Sequence, residues 1–354
     1  MKVICRYLLH IAGIHPIFVV SLNCLMNITY LIGNGFDINI GLATRYCDFY
    51  EYYKQQSSSN KNIAKLKNDI RCNYENWADL EVKLGKYTAD FSEETDFESV
   101  FEDIQDNLSQ YLEKEQKKFQ IDKKEEASKI FRKDLYSPYR FLLPADGRLL
   151  NTYINESKSI YHWEINIITF NYTNSIELLL KDTDKILYTR KNGTTFSLGT
   201  IEHIHGFHNH RMVLGVNDVS QIANEQFRDS RRITDAIIKP QCNSVQKHLV
   251  DRNCIELIKQ SHIICVYGSS IGDTDKIWWE TIGQWLVDVA GFLIIFYRDK
   301  EQIHPLRPYK IGLKTESIID LFLSKTNLDD SQKNKCRNRV IIGYETNIFN
   351  LSVK

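Results

Sequence analysis

Four short stretches carry side chains able to do chemistry, and each stands at the end of an apolar run or close behind one. The first is Leu31-Ile32-Gly33-Asn34-Gly35-Phe36-Asp37. Glycines at a strand-to-helix turn let the backbone approach a phosphate, and the N-terminus of the following helix favours negative charge. Ile38 stands where a full G-x-G-x-x-G has its third glycine, so the same residues also suit a tight turn with no ligand. The second stretch is Thr169-Phe170-Asn171-Tyr172-Thr173. There Asn171 could hydrogen-bond a ribose or orient a water, or simply cap the next helix. The third, Glu202-His203-Ile204-His205-Gly206-Phe207-His208-Asn209-His210, holds four histidines in eight positions. That pattern suits a metal, a general base that titrates near neutral pH, or a polar rim. No nearby cysteine supports zinc, and a base is the better functional reading. The fourth is Tyr267-Gly268-Ser269-Ser270-Ile271-Gly272-Asp273-Thr274-Asp275. Its small residues offer N–H groups to an anion, while its two Asp residues suit ribose hydroxyls or a helix cap.

The elements that must position these stretches read as alternating strands and helices. Ile28–Ile32, Ile165–Phe170, His262–Tyr267, Phe292–Tyr297 and Val340–Tyr344 are short apolar runs bounded by turn residues. Lys185–Tyr188 and His203–Ile204 are weaker candidates. The first run and Ile263-Ile264-Cys265-Val266 lack strict alternation, as expected of strands buried on both faces of a parallel sheet. Helical spacing follows in Asn174–Lys181, Val245–Gln260 and Asp275–Val289. Trp278 and Trp285 share one face of the last helix and are expected in the core. The expected fold is therefore α/β, a doubly wound and mostly parallel Rossmann-like sheet.

Residues 57–158 differ: they are rich in charge, with apolar residues every three or four positions, as in Val100-Phe101, Ile104, Leu108 and Tyr111-Leu112. They are expected to form a helical insertion in a nucleotide-binding core made of residues 26–56 and 159–354. Within it, the charged run Glu113–Lys124 reads as a solvated helix face. Residues 1–25 are an apolar leader interrupted by His10, His15 and Pro16; Met26, just before the first strand, is the expected native start, with a signal or anchor as the alternative.

The chain has 354 residues, of which 43% are hydrophobic and 25% charged, an ordinary globular composition. Net charge is zero, which gives no global basic excess for binding nucleic acid. The eight cysteines form no C-x-x-C pair and read as buried small side chains in a reducing, cytoplasmic compartment.

Taken together, the four stretches resemble the AbiH family of bacteriophage abortive-infection proteins, with Asn76-Trp77-Ala78-Asp79-Leu80-Glu81 as a further matching motif. The likeness runs roughly from residue 26 to residue 300. It implies phage defence in which the infected cell stops growing or dies, and leaves the molecular activity open. More distantly, the loops resemble the sirtuin-like NAD-binding fold. Gly33-Asn34-Gly35-Phe36 stands at the Gly-Ala-Gly loop of sirtuins, and Thr169-Phe170-Asn171 at their Thr-x-Asn segment. His205-Gly206 stands at their His-Gly, and Gly268-Ser269-Ser270 at their phosphate loop.

That second resemblance implies NAD as substrate or ligand. Asn171 would place water or ribose at the C1 carbon, and His205 would act as base or polarise the ribose. Gly33, Gly35 and Gly268–Ser270 would hold the pyrophosphate, with Asn34, Phe36, Thr169 and Asp273 as further contacts. The sequence departs from the pattern in having no four-cysteine zinc module, so neither zinc nor deacetylation is expected. Thr173 replaces an Asp, and Asp37 is added after the aromatic. Asp37 is then a ribose ligand, a catalytic group, or a sign that the ligand is not NAD.

Three functions follow. The first is hydrolysis of NAD or a related nucleotide to arrest the cell. The second is a non-catalytic sensor of a nucleotide or phage protein. The third is a metal-dependent nuclease using Asp37, Asp273 and Asp275. The expected partners are a nucleotide, a phage-derived trigger, and a second copy or another protein through the 57–158 helices; no membrane is expected.

Overall fold

The computed structural model describes residues 25–119, 124–155, 162–181, 183–299, 303–304 and 306–351. Apart from Leu25, the expected leader lies outside the described residues. The strands are β1 (Leu25–Ile32), β2 (His162–Thr169), β3 (Ile186–Thr189), β4 (Thr195–His203), β5 (Ile263–Tyr267), β6 (Phe292–Tyr297) and β7 (Val340–Tyr344). They form one mixed α/β sheet in the order β3-β4-β2-β1-β5-β6-β7. Every neighbouring pair is parallel except β3 with β4.

The apolar runs become central strands because both faces are covered. Ile28, Tyr30 and Ile32 point with Ile167, Cys265 and Phe296 into a core closed by helices Lys124–Tyr136, Pro144–Asn155 and Ser175–Leu180. Leu31, Ile168, Val266 and Ile295 point the other way, onto helices Val250–Lys259, Lys276–Asp288 and Tyr309–Ser324. Trp278, Trp279 and Trp285 all bury into that second core. Between β1 and β2 every described element is helical. The earlier part, from Tyr46–Tyr53 through Glu94–Lys117, makes a third core with Leu214, Val216, Phe227 and Ile237 from beyond β4. The later part, Lys124–Asn155, packs on the sheet instead. No helix among the described residues is long and apolar enough to cross a membrane.

Two elements differ from expectation. Of the pair His203–Ile204, Ile204 lies in a turn and only His203 is in a strand, as the last residue of the nine-residue β4. Its register against β2 shifts between Ile165 and Ile167, where the Asn166 side chain accepts from Thr200 N at 2.9 Å and patches the interrupted ladder. The expected helix Val245–Gln260 starts only at Val250 and runs to Lys259, while Val245 ends a separate helix, Lys239–Val245. Lys247, at φ 55°, turns the chain between them.

The loops after β1 and β5 touch backbone to backbone. A Cβ built on Gly35 would stand 2.5 Å from Gly268 Cα, closer than any real contact, whereas one on exposed, helical Gly312 meets nothing within 4 Å. Gly35→Ala is therefore expected to destabilise the protein by roughly 1–3 kcal/mol. Gly312→Ala is expected to stabilise it by roughly 0.5–1 kcal/mol. Urea unfolding midpoints measure both, and equal shifts of the same sign would contradict this account.

Candidate functional site

The carboxyl ends of β1, β2, β5 and β6 open on one cleft of about 1350 Å³, whose other wall comes from the helical segment through Tyr46, Tyr50, Tyr74 and Glu81. Gly33 N donates to Tyr267 O and Gly35 N to Gly268 O, each at 2.8 Å. Gly268 sits at φ +69° and faces both. The three glycines thus serve the contact between two loops, and the N–H groups of Gly33 and Gly35 are already bonded. Among the described residues no backbone bond takes up the N–H groups of Ser269 and Ser270, which also line the cleft. Asn34 lines it too, tied to Thr44 by its amide at 2.9 Å. Phe36 does not: it is fully buried against Phe131, Tyr267 and Phe349.

Asp37 is 1% exposed, and both its oxygens are occupied. Thr173 Oγ1 donates to one and Ser175 Oγ to the other, each at 2.7 Å. Burial raises the carboxyl above its usual range, and the two hydroxyls oppose the rise. Asp37 therefore fastens the turn after β1 to the loop after β2. Thr169 plays a similar part at full burial: its Oγ1 donates to Ile32 O and accepts from Asn171 N, both at 3.1 Å.

Asn171 is 4% exposed and lines the cleft, yet neither its Oδ1 nor its Nδ2 has a hydrogen-bond partner. The amide stands near enough to Asp37 to favour its charged form without a bond of ordinary geometry. A buried amide with both ends unpaired is rare and costly. Its backbone is held firmly: Asn171 O meets His203 Nδ1 at 2.9 Å.

The four histidines diverge. His203 is a strut, bonded to Asn171 O and, through Nε2, to Glu177 at 2.6 Å, with its ring centroid 4.0 Å from that of Phe207 and the planes tilted by 32°. His208 is buried behind the loop, while His210 is exposed. His205 lines the cleft between Phe170 and Tyr172. Its Nε2 meets Asp275 Oδ1 at 3.2 Å, and its Nδ1 is buried without a partner. Burial first, then Lys239, pushes the imidazole down to about 4, against the opposing pull of Asp275. Among the described residues no three His, Cys, Asp or Glu side chains are grouped to hold a metal ion.

Behind His205 runs a buried chain of charges. Lys239 Nζ donates to Glu81 at 2.7 Å, to Asp275 Oδ1 at 3.1 Å and to Thr274 O at 3.1 Å. The two carboxylates separate: burial raises Glu81 to about 7, whereas Lys239 and His205 outweigh burial at Asp275 and hold it well below the usual range. Asp273, two residues from Asp275, points outward to Lys325 at 2.5 Å and stands outside the cleft lining. Sequence reasoning gave no role to Glu81, although it ends the Asn76–Glu81 motif, and passed over Lys239, which nothing in its neighbourhood marks.

The structure thus brings Asn171, His205, the Ser269–Ser270 turn, Glu81 and Asp275 to one cleft, with Lys239 joining the two carboxylates from behind. No curated protein matches the chain. The family described as Bacteriophage abortive infection AbiH matches residues 29–296. That stretch begins inside β1, ends inside β6 and contains every side chain of the buried network. With well over half its length matched, from the first strand-end loop to the last, the chain belongs to the AbiH family of bacteriophage abortive-infection proteins.

Proposed function

We propose that the chain binds NAD or a related nucleotide in this cleft and hydrolyses it, arresting the infected cell. The observation that carries the reading is the buried, unpartnered Asn171 amide beside His205, whose Nδ1 is also unpartnered. Two polar groups deprived of water at a strand-end cleft are prepared for a polar ligand. Strand order supports the class of ligand. Without the antiparallel β3, the parallel strands run third-second-first-fourth-fifth-sixth, the order of a doubly wound Rossmann-like sheet. Ligands of such sheets bind where the order reverses, here at the loops after β1 and β5.

In this reading the pyrophosphate rests on the N–H groups of Ser269 and Ser270, since those of Gly33 and Gly35 are spent on the loop contact. Asn171 orients the nicotinamide ribose. A water adds to the C1 carbon, the bond from C1 to the nicotinamide nitrogen breaks, and its electron pair leaves with nicotinamide. His205, neutral at pH 7, takes the water's proton. Asp37 and Thr169 position Asn171 and stay clear of the reacting atoms. A metal-dependent nuclease is less favoured, because Asp37, Asp273 and Asp275 each have partners of their own and do not converge.

Wild type and Asn171→Ala, expressed in a phage-challenged host, are expected to diverge in metabolites. NAD collapses with release of nicotinamide in wild type and persists in the variant, while RNA stays intact in both. RNA loss with steady NAD would move the function to a nuclease; arrest with both pools intact would make the cleft a sensor. In purified protein, His205→Ala is expected to lower kcat by roughly 10²- to 10⁴-fold. The base must be neutral to accept a proton, so its acid limb in kcat/KM lies near pH 4 and is lost below that. A limb near 6.5 that vanishes in His205→Ala would contradict the buried, neutral histidine.

A further inference from the structure

Asp275 Oδ1 receives two neighbours, Lys239 Nζ at 3.1 Å and His205 Nε2 at 3.2 Å. A carboxylate that is ionised can only accept. Lys239 has no proton acceptor role to offer, and it is the group that keeps Asp275 ionised. Hence the bond between Asp275 and His205 forms only if the histidine brings the proton, on Nε2. A neutral imidazole has one proton, which leaves a lone pair on Nδ1. That atom is buried and has no partner in the protein.

We infer that Asp275, backed by Lys239 and Glu81, fixes His205 as the Nε2–H tautomer, so that Nδ1 is the nitrogen that accepts a proton from the bound ligand or its water. Asp275 and Lys239 are positioning residues, acting on chemistry only through the imidazole. Only the last step, proton acceptance during hydrolysis, rests on the reading of the cleft given above; the tautomer stands on the hydrogen bonds alone.

Glu81 makes the arrangement a joint one. It comes from the helical segment between β1 and β2, 158 residues before Lys239 in sequence, and Asp275 comes from the turn after β5. Lys239 sits between two carboxylates, and the pair shares the burden unequally: the proton goes to Glu81 first, and the charge stays on Asp275. Without Glu81, Lys239 would still pair with Asp275. Without Lys239, two buried carboxylates would face one another with one proton to hold, and Asp275 could take it and become a donor.

Nitrogen-15 spectra of the full chain labelled at histidine read the tautomer directly at pH 7, with the His205 signals identified by their loss in His205→Gln. A protonated Nε2 and a bare Nδ1 are expected in wild type, which needs no variant to fold. In Asp275→Asn the amide can either donate or accept, so a shift toward Nδ1–H is expected. Its kcat for NAD consumption should fall by about 10²- to 10⁴-fold, with KM changed by less than about threefold. Lys239→Met is expected to move the signals the same way. A wild-type His205 carrying its proton on Nδ1 would overturn the inference, as would spectra unchanged in folded Asp275→Asn. If the wild-type tautomer is as stated but NAD survives, hydrolysis is refuted and the positioning of His205 remains.

Discussion

A lysine ammonium taken out of water costs several kcal/mol unless opposite charge and acceptors surround it. Lys239 satisfies that demand with Glu81, Asp275 and the Thr274 carbonyl, and so draws three distant parts of the chain together. The helical layer supplies one carboxylate, the turn after β5 another, and the segment beyond β4 the cation. A hydrophobic contact of the same size would tolerate sliding. A buried charge that must meet two carboxylates and a carbonyl within about 3 Å does not, so the wall of the cleft is fixed relative to its floor. His205 inherits its place from the same network, through Asp275.

The floor is fixed by a different device. Gly33, Gly35 and Gly268 remove the side chains that would hold the β1 and β5 loops apart, and two N–H groups of the first loop bond to the second. Asp37 then fastens that assembly to the loop after β2 through Thr173 and Ser175. Three strand-end loops become one rigid surface, on which Asn171 is held by its backbone while its amide is left bare. Glycines and an aspartate that read as ligand contacts in the sequence are, in the structure, the means of building this surface.

The strands legible in the sequence were those whose chemistry is decided locally. β5, β6 and β7 are buried on both faces, so a short apolar run is all they require, and their bounds follow the sequence closely, whereas β1 begins three residues before the expected Ile28. β4 was mostly hidden, because it lies next to the edge strand β3, is half-exposed along much of its length and carries a bulge opposite Asn166. In the site, Asn171 and His205 were visible as polar residues beyond apolar runs. Glu81 and Lys239 were not, since a partner 158 residues away leaves no periodic or spacing signal. Asp273 and Asp275 could not be told apart in sequence. The short turn Asp273–Asp275 sends one carboxylate to solvent and Lys325 and the other inward to Lys239, and only packing decides which.

The contrast between Asp275 and Asn171 carries the functional argument further than either residue alone. Asp275 Oδ1 has two partners, Lys239 Nζ and His205 Nε2, in a place where an unmet buried group would cost about 1–3 kcal/mol or more. Within the same cleft, Asn171 forgoes that stabilisation at both ends of its amide, and His205 forgoes it at Nδ1. A fold able to satisfy a buried ammonium three times over has the means to satisfy an amide. Both residues stand in the lining of one cleft, where His203 holds the Asn171 carbonyl and Tyr172 packs near the His205 ring. Hydrogen bonding is thus withheld at Asn171 and at His205 Nδ1 and concentrated beside them, in the charged network that holds the imidazole through Asp275.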